Sequence, residues 1–140
     1  MFKVFCFFLL FCIPCCVSAV PTDEITHMLA RQEAAWNTGD IDTYMQGYWR
    51  SEKLRIASGK KFRYGWQETL DAFKKYYSTR ALMGKLQLTQ VEIKVFNNSA
   101  AMVVGRWQLI RAKDKPEGLF TLLLEKIDDR WVITHDHTSE

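Results

Sequence analysis

The end of the chain carries its densest group of side chains able to move protons. His135-Asp136-His137 sets two imidazoles around a carboxylate. An imidazole titrates near neutral pH, so it can give or take a proton under ordinary conditions. In an extended strand, residues two apart share a face. That puts Trp131, Ile133, His135 and His137 on one side, and Val132, Thr134, Asp136 and Thr138 on the other. The first set is the more apolar and is expected to face inward, with His135 the deeper histidine and His137 at a cavity rim. On this reading His135 and His137 are the candidate catalytic bases, and Asp136 points away. The competing reading is two solvated histidines on a fraying terminus. Two histidines on one face can also begin a metal site if a third ligand converges. The only other histidine is His27, so no metal and no cofactor is expected.

Arginines inside strands are the second group. Arg106 alternates with Met102, Val104 and Gln108 in a strand expected to be central. A buried guanidinium needs a carboxylate, a carbonyl or an anionic ligand. Arg106 is therefore expected either to hold the acidic end of a ligand or to pair with Glu125 on the neighbouring strand. Arg55 and Arg63 also fall in strands. Aromatic residues are abundant, with five Trp, five Tyr and nine Phe. Trp36, Tyr44, Tyr48, Tyr64, Trp66 and Trp107 could line a pocket, since Trp and Tyr carry polar tips that want partners. For Trp36 and Tyr44 the competing assignment is plain core. The candidate ligand-binding set is Arg106, Tyr48, Trp66, Tyr64, Trp36 and His135. The chain has no G-x-S-x-G, phosphate loop, dinucleotide fingerprint or H-E-x-x-H, so those chemistries have no sequence support.

Helical spacing fills the first half of the chain and strand alternation the second. Pro21-Thr22-Asp23-Glu24 reads as a helix start, with acids in the turn that the helix dipole favours. Ile25, Met28, Leu29, Gln32 and Trp36 follow on one stripe, and Asn37-Thr38-Gly39 stops the helix. Asp40 caps a short second helix with inner face Ile41, Tyr44, Met45 and Tyr48. Lys53 to Ser58 and Lys61 to Tyr64 read as short strands around a turn. Gly65 opens a third helix, Trp66 to Tyr77. After Gly84 the period becomes two. Four longer strands follow: Lys85 to Phe96, Ser99 to Arg111, Leu119 to Ile127 and Arg130 to Thr138. The predicted fold is α+β: a cone-shaped, curved antiparallel sheet with three helices from the N-terminal half enclosing a cavity.

The chain has 140 residues, one domain's worth, with 48% apolar and 25% charged residues. The net charge of +3 is small and evenly spread, and nothing points to nucleic acid. Residues 1–19 read as a signal peptide: Lys3 supplies a positive start, Val4 to Val17 is apolar, and Val17-Ser18-Ala19 is a small-residue cleavage site. The apolar run is short for a membrane span and contains Pro14. Cleavage after Ala19 and a secreted or periplasmic location are expected, with no membrane contact afterwards. A lipoprotein would use Cys15 or Cys16, and the preceding Ile13-Pro14 fits that poorly. All four cysteines (Cys6, Cys12, Cys15 and Cys16) fall in this segment, so the remainder, residues 20–140, is a single domain without thiols.

Ala35-Trp36-Asn37-Thr38-Gly39-Asp40-Ile41-Asp42 resembles the helix-turn-helix signature of the nuclear transport factor 2-like superfamily. That group includes SnoaL-like cyclases and ketosteroid isomerases. Gly65-Trp66, Gly105-Arg106-Trp107 and the ending Trp131 to Ser139 extend the resemblance over residues 20–140, nearest to exported domains without an assigned function. The ending is also similar to that of calcium/calmodulin-dependent kinase association domains. The resemblance implies the cone fold, but this fold hosts enzymes, binding modules and assembly domains alike. Where the isomerases keep their general-base aspartate, this chain has Ala57 or Ser58. Their tyrosine corresponds to Gln32, and their protonated aspartate to Leu123 or Leu124. Steroid-isomerase chemistry is therefore not expected. The leading expectation is a binding or accessory module for a small, anionic organic molecule. A lyase, isomerase or cyclase with a histidine base is the alternative, and a ligand-free dimerisation module the third. A homodimer is expected because both faces of the strand Ser99 to Arg111 are apolar, and exposed apolar area marks interfaces.

Overall fold

The computed structural model describes residues 20–139; the candidate signal peptide and its four cysteines lie outside them. Pro21 opens α1 (Pro21–Thr38) at a first-turn position where its missing N–H is no loss. Gly39 closes it in the left-handed conformation (φ 86°), with its N–H on the carbonyls of Ala35 and Trp36. Asp40 caps α2 (Ile41–Met45) by accepting the Thr43 N–H at 2.9 Å. A hairpin of β1 (Arg55–Ser58) and β2 (Lys61–Tyr64) precedes α3 (Trp66–Tyr76). A fourth helix, α4 (Arg80–Met83), is one turn long and was not foreseen from spacing. Its Arg80 donates to the carbonyls of Trp36 (2.9 Å) and Asn37 (3.1 Å), where a cation suits the C-terminal end of α1.

The remaining chain is the meander β3 (Lys85–Asn97), β4 (Ala100–Ile110), β5 (Glu117–Ile127) and β6 (Arg130–Thr138). The six strands form one sheet in the order β2-β1-β6-β5-β4-β3. All neighbours are antiparallel except β1 and β6, which run parallel. The sheet is therefore mixed, because the hairpin joins the meander at the strand furthest from it in sequence. Asp128 and Asp129 both take positive φ in the β5–β6 turn, the backbone a two-residue hairpin requires.

Two bulges shape the sheet. On β3, the register shifts between Thr89 and Glu92, opposite Gly105, and Gln90 adopts φ 51°. On β6, Leu123 pairs with His135 but Leu124 pairs with Ile133, so Thr134 has no partner in the ladder. The Thr134 hydroxyl donates to the Leu123 carbonyl. An extra residue bends the strand and reverses which face each later side chain takes. Helices α1 and α3 lie over the concave side, and the core between them and the sheet includes Ile25, Leu29, Met45, Leu54, Leu124 and Ile133. Each such side chain contributes roughly 1.5–3 kcal/mol by its removal from water.

Candidate functional site

The core does not fill the concave side. A cavity of about 290 Å³ remains between α1, α2, α3 and the sheet. Leu86, Leu109, Leu122 and Ile133 form its apolar floor. Its upper wall is aromatic. The Trp36 ring packs edge-on against Tyr44, Tyr77 and Phe73, with centroids 5.1, 4.8 and 6.4 Å away. Trp36 Nε1 donates to the Met83 carbonyl at 3.2 Å, which fixes the ring and satisfies its polar atom. Ser58 and Tyr76, the latter 61% exposed, mark where the cavity opens to solvent beside Arg63.

One carboxylate faces this space. Asp136 is only 6% exposed and lines the cavity. Its Oδ2 accepts from the Tyr48 hydroxyl at 2.8 Å, and Tyr44 and Tyr48 hydroxyls lie 3.2 Å apart. Since the Tyr48 proton is spent on Asp136, Tyr44 is the donor to Tyr48. The result is a buried relay of two phenols ending on a carboxylate. Asp136 Oδ1 is buried and has no hydrogen-bond partner. Burial pushes the Asp136 carboxyl up to about 6, against the opposing pull of the Tyr48 hydrogen bond and the His137 charge. Burial, helped by the nearby Asp136 charge, also raises both phenols, so they remain protonated donors. A carboxyl tuned toward neutrality with one open oxygen can accept a hydrogen bond or exchange a proton with a bound molecule.

The structure corrects several sequence expectations. Asp136 points in, and His135 and His137 point out. The cause is the bulge at Thr134: alternation holds through Ile133, then reverses, so Asp136 and Thr138 line the cavity. His135 Nδ1 instead accepts from Arg55 Nε at 3.0 Å on the outer face. Its pKa is lowered by partial burial and by the Arg55 charge. Neither histidine is placed to act as a base in the cavity.

Arg106 is exposed on the outer face of β4, and its Nε donates to Gln90 Oε1 at 3.1 Å. Glu125 sits opposite Ala100, at the far end of the strand, so the alternative ion pair is absent as well. The inner face of β4 is Ala101, Val103, Gly105, Trp107 and Leu109. Both faces of this strand are apolar in sequence, so alternation alone did not identify the inner one. Tyr64 is 54% exposed, beside Phe62 on the outer side of β2. Trp66 lies outside the cavity lining; its Nε1 donates to the Met45 carbonyl at 2.9 Å under the Arg50 guanidinium. Of the proposed ligand set, Trp36 and Tyr48 line the cavity, and Arg106, Trp66, Tyr64 and His135 do not. Asp136, Arg63 and Gln32 are polar lining residues that sequence reasoning did not assign to the site. Arg63 had a readable signal, since it alternates with Phe62 and Tyr64 on an edge strand.

Residues 25–140 match the SnoaL-like domain family. A crystallised nuclear transport factor 2-like protein of unknown function from Shewanella oneidensis is 59% identical, over 86% of this chain and all of its own, with a TM-score of 0.84. A protein of unknown function with a cystatin-like fold from Nostoc punctiforme is 15% identical, covering 87% of this chain and 92% of its own, at 0.70. A putative calcium/calmodulin-dependent protein kinase II association domain from Xanthomonas campestris is 18% identical, covering 87% and 91%, at 0.65. These two share the fold alone. No functionally curated protein matches the chain. With its helices over the concave side of a six-stranded sheet and 116 of its residues aligned to the family, this chain belongs to the SnoaL-like domain family.

Proposed function

We propose that this chain binds a small, largely apolar organic molecule in the aromatic-walled cavity and seats its polar end on Asp136. One observation carries the reading: a nearly buried carboxylate with Oδ2 tied to Tyr48 and Oδ1 without a partner. Leaving such an atom unpaired is costly, and a donor group on a ligand removes that cost. Naphthol, an apolar bicycle with one hydroxyl, is a suitable probe. Its fluorescence should report binding that weakens roughly tenfold in Asp136→Asn, the scale of a lost charge-assisted hydrogen bond. Binding should also weaken below about pH 6, as the carboxylate takes up a proton. Binding that is indifferent to both changes would remove Asp136 from the site.

A second reading, an isomerase, cyclase or lyase, is favoured by the same carboxyl. A base with its pKa near 6 can accept a proton from carbon or oxygen, and the apolar walls keep water from competing. Asp136, not a histidine, is then the general base. β-Tetralone, a bicyclic ketone with acidic protons next to its carbonyl, tests this. Exchange of those protons with deuterated water should be accelerated by the protein and lost in Asp136→Asn. Exchange at the buffer rate would leave binding without chemistry.

A further inference from the structure

The cavity carries a second charged side chain, and the first does not neutralise it. Arg63 is half-buried on β2 and lines the cavity. Among the described residues, no hydrogen bond, ion pair or ring contact engages its guanidinium. Arg55, Arg106 and Arg50 differ in this respect: Arg55 is on His135, Arg106 on Gln90, and Arg50 over Trp66. Arg63 and Asp136 are not within ion-pair distance, although they share the inner face. The strand register gives the reason. Asp136 stands opposite Ile56, and Ile56 stands opposite Arg63. The two charged positions are thus two strands apart, a backbone separation of about 10 Å. The buried Ile56 side chain lies between them on the cavity floor.

We propose that Arg63 is a specificity residue that holds a carboxylate, so that the cavity selects small planar molecules with a carboxylate at one end and a hydrogen-bond donor at the other. This rests on the Asp136 reading of the cavity. A guanidinium forks onto a carboxylate with two parallel hydrogen bonds. A single arginine balances one negative charge, which suits a carboxylate better than a doubly charged phosphate. The donor end reaches Asp136 Oδ1, and the apolar middle lies over Ile56 beneath the aromatic wall. Arg63 thereby takes the anion-binding role that sequence reasoning gave to Arg106.

A matched pair of probes tests this: naphthol, and a hydroxynaphthoate with its hydroxyl and carboxylate at opposite ends. The protein should bind the hydroxynaphthoate at least about tenfold more tightly, as expected for one charge-assisted contact. Arg63→Gln should bring the two probes to parity. NMR of the Arg63 Nε–H gives a readout that needs no variant: its resonance should move with hydroxynaphthoate and stay with naphthol. Equal affinities for the two probes, or a preference that survives Arg63→Gln, would overturn the Arg63 assignment and leave the cavity reading standing. If neither probe binds, both readings fall.

Discussion

Asp136 holds its raised pKa at the expense of the fold. Its carboxyl ionises near pH 4 in an unfolded chain and at about 6 in the folded one. The folded state therefore keeps the proton that the unfolded state has already released. Its stabilising effect is complete below about pH 4 and disappears as pH rises through about 6. Above that, ionised Asp136 costs about 3 kcal/mol relative to an unshifted carboxyl. Asp136→Asn retains an acceptor for Tyr48 and removes the buried charge. We expect the variant to gain about 1–3 kcal/mol over the wild type at pH 7.5 and to lose most of that gain at pH 4.5. Denaturant unfolding at the two pH values measures the difference. Tyr48 acts in the opposite direction, since its hydrogen bond lowers the Asp136 pKa. In Tyr48→Phe, carbon-detected NMR should find Asp136 titrating above about 6. An unchanged titration would mean that the Tyr48 bond does not govern the carboxyl.

Elements, more than residues, decided what could be read from the chain alone. The helix stop at Asn37-Thr38-Gly39, the Asp40 cap and the four meander strands follow from local chemistry, and each lies where spacing put it. The inner face of β6 does not, because it depends on the bulge at Thr134. No residue near Thr134 announces an extra position; the bulge exists because Leu123 and Leu124 pair with residues two apart. That one unread position inverted the roles of Asp136 and His135. The bulge on β3 was equally silent, yet it faces a legible residue. At Gly105 an added Cβ would stand 2.6 Å from the Phe120 ring and 3.2 Å from the Thr89 carbonyl. Phe120 lines the cavity. Gly105→Ala should therefore cost about 1–3 kcal/mol and displace the ring toward the bound probe. A thermal melt and a naphthol titration on the same sample would show both effects, and normal values in both would mean the sheet relaxes instead.

At the scale of the whole molecule, the outer face of the sheet carries an apolar patch on β4 and β5. Leu119 and Leu123 are 53% and 38% exposed, with Met102 and Val104 half-buried beside them. We expect two copies to cover this face. Sedimentation should give a homodimer at micromolar concentration, and Leu123→Lys should yield monomers; a wild-type monomer would end this expectation. The proposed export leaves its own trace, since N-terminal sequencing of the exported protein should begin at Val20. The hairpin of β1 and β2 touches the meander only through β6, and β2 is the outermost strand. On the proposed reading, Arg63 of β2 meets the ligand from one flank while the meander and α1 carry the fold. On that reading, ligand choice can drift through an edge strand without re-solving the packing problem, much as a lock is rekeyed without rebuilding the door. A relative's β2 transplanted here should carry that relative's ligand preference with it.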